Sequence, residues 1–519
     1  MKEKVLAYLP GILLFLIALF IGMHTYYDYG ISWDEHWQRE FGNISYNYVF
    51  KGDKTLLTYP YGYYGVGLEL PLTCIEKWCN LTDTRDIYLM RHEAMHILFL
   101  FSALMGYFLV LRLFKNNVLA SIGFLMFLLC PRIYAHSFFN SKDAGFLSVF
   151  LITLSFAQYA FSKNKPSLIF VLGLLSGYST SIRIMAFILA IFIGGFLLLD
   201  LLAVRRKKKN TKPAMINIGL FIGGFCLALY IAWPYLWVNP VHNFFYAYAQ
   251  MSHFDWNASV LIDGDYEKTT NLPWSYFPRW FMITVPVLWL LAGVAGIWLV
   301  VRDFFKKPSD FLQNTTNRNF LLYMLCFFVP VLAVIMLHSI IYDDWRHLYF
   351  VYPSFVLIGM YAVNKLYIML KGSLKLIVPV VFGIQAIMLI GFMVRNHPFQ
   401  QVYFNELVSH DDEYLRKNFE LEYWGASFKQ ALDHLVTTSK ADTITIACNY
   451  DDPVTNNLMI LPAKDRKRIK IVPVSQMAKA EFFVTNYRGH PEDYPSTNIE
   501  YSAKVLNSTV ICVFRLKKS

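Results

Sequence analysis

Eleven apolar runs, each close to the length of a bilayer-spanning helix, constrain this chain more than any other feature. A helix needs about 17 to 25 mostly apolar residues to cross the hydrocarbon core of a membrane. The runs lie at 6–23, 92–111, 118–136, 144–161, 167–182, 184–203, 214–236, 279–301, 320–341, 347–369 and 376–394. They predict a polytopic α-helical membrane protein with about 11 transmembrane helices, and the 56% hydrophobic content agrees with that class.

The basic residues predict how the chain is oriented. The formal net charge is +11, which could indicate nucleic-acid binding, but lysine and arginine concentrate in alternate loops such as RRKKKNTK at 205–212. Because cytoplasmic loops carry such an excess, we expect a multi-pass protein of the inner (plasma) membrane and no nucleic-acid partner. The first run lacks a small-residue cleavage site and is interpreted as an uncleaved anchor with its N-terminus inside. The first loop (24–90) and the loop at 239–278 then face the outer, or periplasmic, side.

The tail after the last run has a different composition. An odd number of spans places it outside, so we expect residues 1–394 to form the transmembrane catalytic domain and residues 395–519 an outer-side soluble α/β domain. EYWGASFKQALDHLV indicates an amphipathic helix, and DTITIAC, RIKIVPV, EFFVTNY and VLNSTVICVF indicate strands. Cys448 and Cys512 lie on two of these strands and could form a disulfide or remain free thiols.

The segment HEAMH, residues 92–96, matches the zinc-protease pattern H-E-x-x-H. Two histidines at i and i+4 share one helical face, and an intramembrane zinc metalloprotease is therefore an alternative function. A third ligand from another helix is needed, and no suitable segment is found in the sequence. We instead expect His92 and His96 to end a transmembrane helix at the outer interface and bind no metal.

Acidic and basic residues meet at the predicted outer ends of the spans. The sites are Asp34 and Glu35 in the first loop, Lys142 and Asp143 after the third run, and Asp343, Asp344, Arg346 and His347 before the tenth. Such charges can simply end helices and anchor a protein. Together they could also do chemistry, because a carboxylate can accept a proton from a hydroxyl while cations hold a phosphate.

Four segments resemble one family. WDE (33–35), PRIYAHSFFNSKD (131–143), YDDWRHLYFVYP (342–353) and HPFQQVYFNEL followed by LEYWGASFKQAL (397–407 and 421–432) are similar to bacterial glycosyltransferases of the GT-C superfamily. That group is related to protein O-mannosyltransferases and to the aminoarabinose transferase of lipid A. The resemblance implies an inverting enzyme that moves a sugar from a polyprenyl-phosphate donor to a lipid, glycan or protein acceptor.

The resemblance also assigns residues. It places the catalytic base on Asp34, a neighbouring acid on Glu35 and the acid of the second outer loop on Asp143. The pair Arg346–His347 matches the family's R-H pair. Further candidates for holding the lipid phosphate, chosen by predicted depth, are Arg91, Arg132, Lys142, Arg183 and Arg279. The alternative for each of these cations is contact with lipid headgroups.

Cofactor use follows from the same comparison. Related oligosaccharyltransferases bind a divalent cation through outer-loop acids, and Asp34, Glu35 and Asp143 could form an oxygen site. The usual members of the group work without metal, so we expect no cofactor and leave a divalent cation open. A third function, a transporter or flippase of surface glycans, would favour repeated halves and charges buried in mid-span, neither of which is evident in the sequence.

Overall fold

The fold is a bundle of long apolar helices with a small mixed sheet at the C-terminal end of the chain. The computed structural model describes residues 2–252, 256–495 and 498–516. Residues 253–255 of the predicted outer loop, and 496–497 and 517–519 of the predicted tail domain, lie outside this description. The bundle helices are Lys2–Met23, Thr84–Phe114, Asn117–Leu128, Pro131–Phe139, Asp143–Lys163, Pro166–Ile182, Phe187–Arg206, Lys212–Ala232, Val287–Lys306, Thr315–Met336, Tyr352–Met369 and Ile377–Arg395.

The prediction of a multi-pass helical membrane protein is confirmed. Within the described residues, nine helical segments are long and apolar enough to span a bilayer. Asn117–Leu128 and Pro131–Phe139 make a tenth if they form one span, bent by 61°. Proline at the first position of the second helix explains the break, since it cannot donate to the preceding turn. The run predicted at 167–182 forms the shorter apolar helix Pro166–Ile182.

The segments between the bundle helices contain further structure. The first loop holds three helices, Glu35–Lys51, Thr55–Thr58 and Glu69–Trp78. The loop at 239–278 carries the helix Pro240–Ser252 and a hairpin of β1 (Ser259–Ile262) and β2 (Asp265–Lys268), which the sequence did not predict. The helices Tyr276–Thr284 and Pro308–Gln313 complete these connections.

The C-terminal sheet has five strands in the order β4-β3-β5-β7-β6. They are β3 (Ile444–Cys448), β4 (Ile469–Ile471), β5 (Phe482–Thr485), β6 (Ile499–Val505) and β7 (Ser508–Arg515). β3 pairs in parallel with β4 and β5, whereas β7 pairs antiparallel with β5 and β6. The four predicted strands are present, and β6 was missed. The helices of this part are Tyr414–Asn418, Phe428–Thr438, Asp451–Leu458 and Ala463–Arg466.

The register of the sheet explains why Cys448 and Cys512 are both free. Cys448 pairs with Val484, and Cys512 pairs with Thr485. Because consecutive residues of a strand point to opposite faces, the two thiols lie on opposite faces of the sheet with β5 between them. A disulfide cannot form in this arrangement.

The expectation that HEAMH ends a helix is wrong. The helix Thr84–Phe114 begins after Asp83, whose side chain accepts a hydrogen bond from the amide of Arg85 at 2.8 Å. His92 and His96 therefore lie well inside the helix, and both are fully buried. One ring nitrogen of each histidine contacts a side chain of another helix, Glu35 for His92 and Ser137 for His96, and the other nitrogen has no partner among the described residues.

A candidate active site at the junction of bundle and tail

The loop that carries Asp34 is held by the C-terminal part of the chain. Asn457 accepts a hydrogen bond from the amide of Ile31 and donates one to its carbonyl, both at 3.0 Å. The amide of Trp33 donates to the carbonyl of Trp424 at 2.8 Å. Gly30 lies so close to the backbone of residue 426 that a larger residue would not fit. The position of this acidic loop therefore depends on residues about 400 positions away in sequence.

The two adjacent acids of this loop have different surroundings. Glu35 is buried, and its carboxylate accepts a hydrogen bond from the amide of Ser32 at 2.7 Å and lies 2.9 Å from His92 Nε2. The Asp34 side chain is 33% exposed and lies 3.7 Å from Arg346 Nη1. Asp34 occupies the position before the helix Glu35–Lys51 without making a side-chain cap bond. Glu35 is thus fixed in place, while the carboxylate of Asp34 remains open to a ligand.

Asp143 forms the centre of an ion-pair network at the start of the helix Asp143–Lys163. Its amide donates to the side chain of Asn140 at 2.8 Å, which anchors the turn. One carboxylate oxygen contacts Arg183, which follows the helix Pro166–Ile182. The other accepts a hydrogen bond from Arg346 Nη1 at 3.1 Å. The same guanidinium therefore lies between Asp143 and Asp34.

A tight turn before the tenth apolar run separates two neighbouring acids. Asp343 and Asp344 both have left-handed backbone conformations, with φ of 53° and 62°. Such conformations are costly for residues other than glycine, although aspartate tolerates them better than most. The turn directs Asp343 to Arg346 at 3.4 Å and to Arg488 of the tail at 2.9 Å. Asp344 is directed to a different partner, Arg132, at 3.1 Å.

Lys142 differs from the arginines in having no carboxylate within ion-pair distance among the described residues. Its ammonium lies 4.6 Å from the centroid of the Tyr64 ring. Burial, together with the positive charge of Arg183, lowers the pKa of Lys142 to about 7. Burial also lowers the pKa of Arg183, to about 10. A group of cations that disfavour each other's charge is suited to receive an anion.

Two further predicted residues border this group. Arg91 forms a buried ion pair with Glu69, which also accepts a hydrogen bond from Ser141, next to Lys142. His347 packs its ring edge-on against Tyr342 at 4.7 Å, and its Nδ1 has no partner among the described residues. Arg91 therefore supports the turn that carries Lys142.

Arg132 and Arg279 lie apart from these residues. Arg132 is completely buried; it contacts Asp344 and the carbonyl of Tyr403, and its guanidinium lies over the Phe404 ring. Arg279 is partly exposed and pairs with Asp263 in the turn of the β1–β2 hairpin. Neither guanidinium contacts Asp34 or Asp143. Their predicted interfacial depth alone did not indicate these partners.

The structure thus brings Asp34, Asp143, Lys142 and Arg346 together, with Arg183 completing the group. Sequence reasoning missed Arg488, whose guanidinium reaches Asp343 across 145 positions and stacks 5.2 Å from the Trp33 ring. A basic residue between two predicted strands gives no sequence signal for such a contact. The positions of Arg488 and Asp343 in the sequence could not have indicated this contact.

The zinc-motif histidines have separate partners. His92 contacts Glu35, whereas His96 Nδ1 lies 2.7 Å from the Ser137 hydroxyl and its ring stacks on Phe138 at 3.9 Å. Within the described ranges, no three histidine, cysteine, aspartate or glutamate side chains are grouped as metal ligands would be. The absence of zinc remains a prediction.

Comparison with known proteins supplies no family. No protein-family model matches the sequence, and no curated protein matches it.

Proposed function

We propose that this chain is a membrane glycosyltransferase that transfers a sugar from a polyprenyl-phosphate donor to a hydroxyl acceptor with inversion. The supporting observation is an accessible carboxylate beside a group of cations, one of which has no carboxylate partner among the described residues. Asp34 is accessible and lies 3.7 Å from Arg346, and Lys142 lacks a carboxylate partner among the described residues. The likeness of WDE and the three later segments to GT-C enzymes points to the same reaction.

The reaction needs one proton acceptor and one anion site. The Asp34 carboxylate takes the proton of the acceptor hydroxyl while that oxygen attacks the anomeric carbon. The bond from the anomeric carbon to the phosphate oxygen breaks, and its electron pair leaves with the lipid phosphate. Arg346, Arg183 and Lys142 stabilise the charge that develops on this phosphate. Asp143 positions both arginines, and Glu35 fixes the backbone beside Asp34.

Contacts between loops support a membrane topology of eleven spans. The first loop contacts the tail, since the Trp33 amide donates to Trp424, so both belong on one side. Asp143 contacts Arg346 on that side, which requires the bent pair at 117–139 to cross the membrane. Arg183 contacts Asp143 as well, which requires Pro166–Ile182 to cross. With the basic loops inside, this common side is the outer face of the inner membrane.

Replacement of Asp34 by Asn tests the proposal. The change keeps the shape of the side chain and removes the base, so donor turnover should fall by roughly two to four orders of magnitude. Donor affinity and thermal stability should stay near those of the unmodified enzyme, because Asp34 makes no hydrogen bond through its side chain among the described residues. Turnover is measured with polyprenyl-phosphate sugars and a panel of hydroxyl acceptors.

The matched control is Glu40→Gln, on the helix Glu35–Lys51 that directly follows Asp34 and outside the ion-pair network. It should leave turnover within about twofold. An Asp34→Asn enzyme with normal turnover would show that another group is the base. Failure of the unmodified enzyme to use any polyprenyl-phosphate sugar would contradict the proposed reaction itself.

A further inference from the structure

A cleft of about 330 Å³ opens on the C-terminal sheet beside the loop that carries Asp34. This volume lies at the lower end of the roughly 300–1,000 Å³ of small-ligand sites. Trp33 forms one wall, and Asn449, Tyr450, Asp451 and Asp452 form another. The cleft therefore joins the tail to the residue immediately before the proposed base.

The position of the cleft follows from the sheet. β3 lies between two parallel neighbours, β4 and β5, and the cleft is at its carboxyl end. Ligand sites of open α/β sheets lie outside the carboxyl ends of parallel strands. After β3 the chain enters the helix Asp451–Leu458, and Asn457 of that helix holds the loop at Ile31. The cleft and the acidic loop are thus connected by one short helix.

We propose that this cleft binds a neutral saccharide and is the acceptor subsite of the transferase, an inference that rests on the proposed function. The rings of Trp33 and Tyr450 meet edge to face, with centroids 5.6 Å apart and planes at 67°. An aromatic corner of this kind packs against the apolar face of a sugar ring. The exposed carboxylates of Asp451 and Asp452 accept hydrogen bonds from sugar hydroxyls, although one oxygen of Asp451 also accepts from the Cys448 thiol. The Asn449 amide donates one N–H to Tyr494 and retains a second N–H and its oxygen for the sugar.

The charges of the cleft distinguish among acceptors. Two exposed carboxylates repel a phosphorylated lipid headgroup, whereas they bind the hydroxyls of an uncharged sugar. The cation Arg488, which stacks on the Trp33 ring, is paired with Asp343. Asp451 and Asp452 also occupy the first turn of a helix, where acids stabilise the helix dipole. That role explains the two acids but not the cavity in front of them or the aromatic corner beside it.

The geometry also separates the two substrates. Trp33 directly precedes Asp34, and its ring stacks on Arg488, which pairs with Asp343. Asp343 in turn pairs with Arg346, the residue that lies 3.7 Å from Asp34. The cations Lys142, Arg183 and Arg346 lie instead at the ends of bundle helices. Donor phosphate and acceptor therefore approach Asp34 from different elements. Inverting displacement requires attack from the side opposite the leaving phosphate.

The test uses the full-length enzyme in detergent with polyprenyl-phosphate hexoses and pentoses as donors. The acceptor panel contains neutral oligosaccharides, a phosphorylated glycolipid and a serine- and threonine-containing peptide. The variants are Asp452→Asn and Trp33→Phe, and Asp442→Asn is the charge-matched control at an exposed position of the same domain. Saccharide binding without donor is followed by saturation-transfer NMR, including in the Asp34→Asn enzyme.

We expect transfer to a neutral oligosaccharide, with the acceptor KM raised about tenfold in Asp452→Asn and Trp33→Phe while kcat changes less than about twofold. The control should match the unmodified enzyme, and Asp34→Asn should still bind the saccharide. Unchanged KM in both cleft variants would overturn the site and leave the proposed function standing. Transfer only to the peptide or the phosphorylated glycolipid would overturn the acceptor class. Saccharide binding without any transfer would contradict the proposed function, and the acceptor role with it.

Discussion

Two networks of arginine and aspartate begin at neighbouring residues, Asp343 and Asp344, and differ in access to ligands. Through Asp343 and Arg346, the first reaches the open carboxylate of Asp34. The second joins Asp344 and Arg132, both of which have no exposed surface. One oxygen of Asp344 accepts hydrogen bonds from Arg132 at 3.1 Å, from Tyr349 at 2.9 Å and from Tyr423 at 2.6 Å.

The comparison teaches that residue type does not identify a functional charge. Arg132 and Arg346 are both buried arginines paired with aspartate, and both were candidates for the phosphate site. The difference lies in access to solvent and ligands. The Arg132–Asp344 pair is enclosed by aromatic rings, including Phe404, although Arg132 Nε and Asp344 Oδ1 have no hydrogen-bond partner among the described residues. The open network ends at a partly exposed acid, Asp34, and at a lysine without a carboxylate partner in the same described residues. We therefore expect the buried Arg132–Asp344 pair to stabilise the fold, and we propose that the open network around Asp34 binds the ligand.

The largest expected effect separates the two networks. Replacing Arg132 by Leu leaves the Asp344 charge buried without its cation, which should lower the free energy of unfolding by roughly 3–5 kcal/mol. Replacing Arg279 by Leu breaks a partly exposed pair with Asp263 and should cost at most about 1 kcal/mol. Thermal unfolding in detergent measures both. A stable Arg132→Leu enzyme that no longer binds donor would show that Arg132 belongs to the phosphate site.

A tenfold effect is expected from the pH dependence of donor binding. Lys142, whose pKa is lowered to about 7, carries its charge below that pH and loses it above. Donor affinity should therefore weaken about tenfold between pH 6 and pH 9. Replacing Lys142 by Arg should remove this dependence, because a guanidinium stays charged throughout the range.

Donor Kd values measured at each pH, for the unmodified and the Lys142→Arg enzymes, test this prediction. Equal slopes in the unmodified and Lys142→Arg enzymes would mean that the titrating group lies elsewhere. The charges that face Lys142 most directly are Arg183, Asp34, Arg346 and Glu69.

The smallest effect is expected from metal removal. Glu35 contacts His92, and Asp143 contacts two arginines, so these oxygens already have partners other than a metal ion. Chelators of zinc, magnesium and manganese should leave turnover unchanged within about twofold. Loss of turnover that zinc restores would point to HEAMH, and loss that magnesium or manganese restores would point to the acids around Asp34.

Much of the fold follows from local sequence patterns. Apolar runs of spanning length form helices because a helix satisfies all backbone groups of one segment within the bilayer. The breaks fall where signals such as Pro131 and the capping side chain of Asp83 lie. Strands β3, β4, β5 and β7 were recognisable from short β-branched and aromatic runs bounded by polar turns. The hairpin of β1 and β2 lacked that pattern, since its second strand, DYEK, is mostly exposed.

The sequence by itself determined the membrane class and the acids and bases that could react, because hydropathy and side-chain chemistry are properties of short segments. Only the tertiary structure decided which of these side chains meet. In the folded protein Arg132 forms a buried ion pair and His92 is buried against Glu35. Asp34 stays accessible beside Arg346. Contacts such as Asp343 with Arg488 join residues 145 positions apart. They depend on how helices and sheet pack against each other, which no local pattern encodes.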